Sequence, residues 1–294
     1  MKRLLCIIQM VLFMSCGDRS TLVDKSTLLG NDYRLFQATP VWNLAKAVQD
    51  ENIEEIKRIA REEEVNIDYQ DERFGNTLLM LTISNQQYKS CETLLDLGAS
   101  PNKHDNYDGS SAIIDAAGIN ETTDDNTKFL KLLLKHGGDP NAIEEGERRE
   151  ENTSRNTPLI MACGCPNKIV SPIEKVKILI DSGANINYKN EFGTTALKMA
   201  YVQEHFDVVL YLLEKGADYN IPLFNRNGKD VFIWDELRDV LFPLASKEHQ
   251  QKMAVVEFLK QKGIDYRNLP IPNYIVKEVK ETYPENWKEY LEKY

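Results

Sequence analysis

Five stretches of this chain repeat one another, and that self-similarity limits its fold more than any other feature. Their turns read Gly75-Asn-Thr-Leu-Leu, Gly109-Ser-Ser-Ala-Ile, Arg155-Asn-Thr-Pro-Leu, Gly193-Thr-Thr-Ala-Leu and Gly228-Lys-Asp-Val-Phe, starting 34, 46, 38 and 35 residues apart. Each is followed by an apolar pair and a small-residue turn. The pairs are Leu94-Leu95, Leu132-Leu133, Leu179-Ile180, Leu212-Leu213 and Phe258-Leu259, and the turns begin at Gly98, Gly137, Gly183, Gly216 and Gly263. A unit of this length cannot cover its own apolar face, so each must be sealed by its neighbour.

Each stretch reads as two helices, the first opening at the turn and the second carrying the apolar pair, and the residue types suit that unit. Thr at the turn offers its hydroxyl oxygen to an orphan N–H of the first helix. Pro158 suits a first helical position, where no N–H is needed. Ala116, Ala162 and Ala200 are small where first helices press together. The Leu pairs face the next unit, each buried Leu contributing about 1.5–3 kcal/mol. The glycine after the second helix takes a left-handed conformation that costs a residue with a Cβ.

The stretches 77–102 and 195–220 (TALKMAYVQEHFDVVLYLLEKGADYN) carry this pattern without a gap. They resemble the ankyrin repeat, with its Thr-Pro-Leu-His-x-Ala start, Leu-Leu second helix and Gly-Ala-Asp-x-Asn end. The resemblance covers residues 39–266 and implies an all-α fold, a solenoid of helix-turn-helix units joined by β-hairpin-like loops. An N-terminal unit, Trp42 to Asp68, keeps the helix pair, lacks the glycine, and has a charged second helix suited to a solvent-facing cap. About six units result, the first and last degenerate.

Before the repeat, residues 1–15 pair Lys2 and Arg3 with the apolar run Leu4 to Met14. That run is too short for a permanent span, which needs roughly 20 residues, and suits a signal peptide. Phe13-Met14-Ser15-Cys16 resembles a bacterial lipobox. The resemblance implies acylation of Cys16, a membrane anchor through that lipid, and residence in the cell envelope; Gly17 after it favours the outer membrane, facing the periplasm. Residues 16–38 show no period and read as a tether. After the repeat, residues 267–294 form a C-terminal helical cap, in which Pro284 opens a helix with Trp287, Tyr290, Leu291 and Tyr294 on one stripe. The stripe either closes the apolar end of the stack or is an exposed docking helix.

Insertions break the pattern at 118–126, 142–155, 164–172 and 242–250. The second, AIEEGERREENTSR, includes Glu144, Glu147, Arg148 and Arg149 and is either tolerated drift in a solvated charge run or a finger that touches a partner. Phe74, Tyr107, Phe192 and Phe224 lie near hairpin tips, where an aromatic either anchors an interface or packs on the adjacent finger.

Nothing nominates a catalytic residue. Cys91, Cys163 and Cys165 fall at packed positions, and His104, His136, His205 and His249 are scattered, with His205 between two helices. No metal-ligand spacing or phosphate-binding glycine loop is present. The expectation is a protein without catalytic, metal or cofactor sites and without a small-molecule substrate. The chain carries −10, from 36 Lys and Arg against 46 Asp and Glu, and loss of Lys2 and Arg3 with the leader would make it −12. That balance argues against nucleic acid and favours a basic protein partner. Secreted bacterial members of the resembled family are often encoded beside toxins or effectors, which implies an immunity-type inhibitor. An envelope scaffold or stress-linked adaptor is the alternative, and an uncharacterised periplasmic enzyme a third.

Overall fold

The computed structural model describes residues 22–119, 127–146, 154–166, 170–268 and 270–294. Six helix pairs follow in order: α1 (Trp42–Gln49) and α2 (Ile53–Glu62), α3 (Leu78–Ser84) and α4 (Tyr88–Asp96), α5 (Ala112–Gly118) and α6 (Lys128–Lys135), α7 (Pro158–Cys163) and α8 (Ile173–Asp181), α9 (Ala196–Val202) and α10 (Phe206–Glu214), α11 (Ile233–Glu236) and α12 (Lys247–Gln261). First helices stack in one layer, α1 on α3, α5, α7 and α9 in turn. Second helices stack in another, α2 on α4 on α6 and α8 on α10 on α12. The core lies between the layers, with Ala116, Ala162, Ala200, Leu94, Leu133, Leu179 and Leu212 all buried.

Helix starts follow the sequence at three of the turns. Thr77, Thr157 and Thr195 accept the N–H groups of Met80, Ile160 and Lys198 at 3.3, 3.4 and 3.1 Å, and Pro158 is at the first turn of α7. Ser111 differs: it precedes α5 but its hydroxyl makes no capping bond. At the other end, Gly98, Gly183 and Gly216 have φ of +93°, +91° and +94°. That turn lets the next N–H reach back, Ala217 to Leu212 O at 2.9 Å. In the first unit Glu64 takes φ +48° instead.

An asparagine ladder ties the units together. Asn102, Asn141 and Asn187 each donate Nδ2–H to a carbonyl of the next unit, Gly137, Gly183 and Gly216, at 2.9, 3.0 and 3.3 Å. Their Oδ1 atoms accept the N–H of Asp139, Asn185 and Asp218. This is why the repeat ends in Asn.

The described part of the expected tether is folded. Residues 22–38 form two short 3-10 turns, Lys25–Thr27 and Tyr33–Phe36, and bury Leu28, Tyr33, Leu35 and Phe36. The Tyr33–Phe36 turn packs on α1 and covers the open end of the first-helix layer. Arg73 Nη1 donates to Leu28 O at 2.8 Å, Asn76 Nδ2 to Gly30 O at 2.9 Å and Asn85 Nδ2 to Asn31 O at 2.8 Å. An aperiodic strap therefore caps the solenoid, because its apolar residues fit that end without a helix.

The opposite end also departs from expectation. In the last unit α12 begins at Lys247, capped by Ser246, so the separator runs from 237 to 246 rather than over 242–250. Residues 267–294 hold two helices, α13 (Asn273–Thr282) and α14 (Trp287–Lys293), where one was expected. Tyr290 and Tyr294 are buried, and Tyr290 Oη donates to Phe242 O at 2.8 Å, so the aromatic stripe faces the core. A two-stranded hairpin, β1 (Phe224–Arg226) with β2 (Lys229–Val231), precedes α11. No helix among the described residues is long and apolar enough to cross a membrane.

Candidate protein-binding surface

Loops between the units form a row of fingers beside the first-helix layer. Polar side chains shape their tips. Asp105 Oδ1 accepts the N–H groups of Tyr107, Asp108 and Gly109 at 2.8, 3.0 and 2.9 Å. Asp71 Oδ1 does the same for Arg73 and Phe74, both at 2.9 Å. Asn190 Oδ1 holds the N–H groups of Phe192 and Thr194. Asp and Asn three or four residues ahead of the turn glycine are the sequence signal for these tips, a signal absent from the apolar pattern.

Backbone bonds stitch neighbouring fingers: Asn106 N–H to Phe74 O at 2.8 Å, Glu145 N–H to Gly109 O at 2.8 Å and Glu191 N–H to Ser154 O at 3.3 Å. Gly109 is required where the fingers meet, since a Cβ there would sit 1.5 Å from Glu145 O. At the third turn Arg155 replaces the glycine, with φ +58°. Its guanidinium donates to Glu144 O at 2.6 Å and Gly146 O at 2.8 Å, closing the base of the long excursion.

The tip aromatics divide into three environments. Phe74 and Tyr107 meet edge to face at 5.6 Å, with Arg73 over the Phe74 ring, while Tyr107 stays 46% exposed. Phe224 is half-buried against Tyr201 at 6.4 Å, beneath Lys198. Phe192 is 71% exposed. The structure thus brings Phe74 and Tyr107 together and leaves Phe192 and Phe224 on separate fingers. Glu147, Arg148 and Arg149 lie outside the described residues, as does Cys16. Glu144, in the insertion that reads as either a solvated charge run or a finger touching a partner, is buried, its carboxylate accepting the Asn156 N–H at 2.8 Å.

A groove of about 540 Å³ opens between the strap, the first two fingers and helices α3 and α5. Its walls include Leu29, Phe74 and Tyr107, and it holds Asp105, Asp108 and Asp115. Burial and the neighbouring Asp108, Asp105 and Glu144 carboxylates push Asp115 up to about 7, against a hydrogen bond from Ser110. Burial and Asp108 push Asp105 up to about 6. The apolar pattern gave no hint of Asp115 as a site residue.

The three described cysteines, His205 and Lys175 are packed within the fold. Cys91, Cys163 and Cys165 are buried free thiols, and burial pushes Cys91 up to about 12. Such thiols are poor nucleophiles. His205 Nε2 lies 2.8 Å from Cys165 O, linking two units. Buried Lys175 donates to Ala116 O at 3.0 Å and so caps α5 from the next unit. Among the described residues no three His, Cys, Asp or Glu side chains are grouped to hold a metal ion.

An ankyrin-repeat family model matches residues 44–144 and 122–222, more than half of the chain. The chain belongs to the ankyrin repeat family. An ankyrin repeat protein of Acanthamoeba polyphaga mimivirus is 30% identical over 210 residues, covering 61% of this chain and 45% of that protein. The human transient receptor potential cation channel subfamily A member 1 is 26% identical over 189 residues, covering 62% of this chain and 15% of the channel. The matched part is thus less than half of either relative. Two solved structures share the fold. The ankyrin repeat protein EF0377 has a TM-score of 0.52 at 22% identity, covering 75% of this chain and 98% of that one. An ankyrin repeat domain from Acinetobacter baumannii AYE has 0.56 at 24%, covering 73% and 96%. Ankyrin repeats are protein-interaction modules, and this chain is built as one.

Proposed function

We propose that this ankyrin repeat protein is a lipid-anchored module of the bacterial envelope that binds another protein through its fingers and first-helix layer, acting as an immunity-type inhibitor of a toxin or effector. The observation that carries the binding reading is the exposure of Tyr107 and Phe192 on fingers stitched by backbone hydrogen bonds. Large aromatics on a rigid frame bind with little ordering cost. The net negative charge of the chain would steer a basic partner, more weakly as salt rises.

The anchor rests on the Lys2–Arg3 cations, the Leu4 to Met14 run and Cys16. Two or more acyl chains on Cys16 would hold the protein stably at a membrane, in the outer membrane facing the periplasm. Affinity purification of the anchored protein tests both parts. The expected result is one tightly bound, self-encoded protein whose toxicity the ankyrin protein suppresses, with binding lost in Phe192→Ala or Tyr107→Ala. Recovery of envelope structural proteins alone would favour a scaffold or adaptor. Cys16→Ser is expected to release the protein from membranes, and unchanged partition would defeat the anchor.

A further inference from the structure

The groove beside the strap is not a feature of the repeat alone. One wall comes from residues 28–31, which lie outside the helix pairs and are clamped by Arg73 and Asn76. Two surfaces meet there. Leu29, 74% exposed, and Tyr107 present apolar area at the rim, with Phe74 beside Tyr107. Asp105, Asp108 and Asp115 present carboxylates below them, and among the described residues none of the three is ion-paired. Arg73, the cation in the same wall, spends Nη1 on the Lys25 and Leu28 carbonyls.

We propose that this groove receives a basic segment of the partner protein, an Arg or Lys side chain entering between Asp108 and Asp115 while a flanking apolar residue packs on Leu29 and Tyr107. The inference rests on the protein-binding reading above and adds where the partner seats and what chemistry it presents. Charge complementarity chooses the occupant. Burial and neighbouring carboxylates push Asp105 and Asp115 up, and an incoming guanidinium offsets the repulsion among the three side chains. The apolar rim excludes water around the pair, which strengthens it. An acidic or purely apolar segment gains nothing from the three carboxylates.

The test uses a nonapeptide, Gly-Ser-Leu-Arg-Leu-Arg-Leu-Ser-Gly, and its counterpart with Glu for Arg, titrated into the isotope-labelled protein. The Arg peptide is expected to shift the backbone resonances of Tyr107, Asp108 and Asp115 saturably, and the Glu peptide to leave them unmoved. Asp108→Asn combined with Asp115→Asn should weaken the Arg peptide at least tenfold, and Tyr107→Ala should weaken it with all carboxylates intact. Equal response to both peptides, or shifts centred on Phe192 instead, would overturn the site while leaving protein binding elsewhere intact. A groove that takes the Arg peptide in a protein that captures no partner would instead overturn the functional reading and keep the site.

Discussion

Asn141 holds Asn185 across a unit boundary: its Oδ1 accepts the Asn185 N–H at 2.7 Å while its Nδ2 donates to the neighbouring Gly183 carbonyl at 3.0 Å. The same two-bond grip recurs at Asn102 and Asn187. Asp68 occupies the equivalent place in the first unit and keeps only the acceptor half, toward the Ser100 N–H at 2.8 Å. The ladder is exposed, so it sets register more than it supplies stability.

That geometry makes a graded prediction. A hydrogen bond contributes about 0.5–1.5 kcal/mol net, and exposure puts these at the low end. Asn141→Ala should cost about 1 kcal/mol in urea unfolding. Asn141→Asp should cost measurably too, since it keeps the acceptor and loses the donor. Equal stability of all three proteins would mean the ladder carries no free energy.

Stacking carries far more. Leu212 is fully buried between the layers, and Leu212→Ala should lose about 2–5 kcal/mol through the cavity it leaves. A loss near zero in the same assay would mean that the units do not seal one another.

Arg155 separates backbone strain from side-chain bonding. Its φ of +58° costs a residue with a Cβ about 1–2 kcal/mol, offset by bonds to Glu144 O and Gly146 O. Arg155→Ala loses the bonds and keeps the strain, so it should be less stable than Arg155→Gly by about 1 kcal/mol. The reverse order in thermal or urea unfolding would contradict the positive φ.

Two groups give stability opposite pH slopes. Asp115, at about 7 in the folded chain, lies above the unfolded carboxylate value of about 3.9. Folding therefore takes up a proton between those values, and stability falls as pH rises from about 4 to 7. Lys252, buried and beside the Arg238 and Arg267 cations, is pushed down to about 7 from an unfolded value of about 10.4. Folding releases a proton there, so stability rises from pH 7 to 10. Asp115→Asn should flatten the first window in part, because Asp105 titrates within it as well. Lys252→Met should flatten the second. Unchanged slopes in both variants would refute the assignments.

What the sequence made legible was whatever recurs. The glycine turns, Leu pairs and small first-helix residues place six helix pairs, because each obeys one local rule repeated. Residues acting once were hidden. Leu28, Tyr33, Leu35 and Phe36 pack in 3-10 turns with no period to read. Glu144 is buried by partners at Arg155 and Asn156, across an insertion. Helix α13 shows only Ile275 and Val279 to the core, four residues apart in a charged stretch. The groove needs residues 28–31 as one wall, and their aperiodic sequence gives no sign that they fold back on the repeat.

The most direct test of the account is the affinity of the captured partner for the native protein and for Tyr107→Ala, Phe192→Ala and Glu54→Ala, the last on the second-helix layer. A loss of tenfold or more in the two finger variants, with Glu54→Ala unchanged, is the predicted result. Undiminished binding to both finger variants, or a loss confined to Glu54→Ala, would contradict recognition through the fingers.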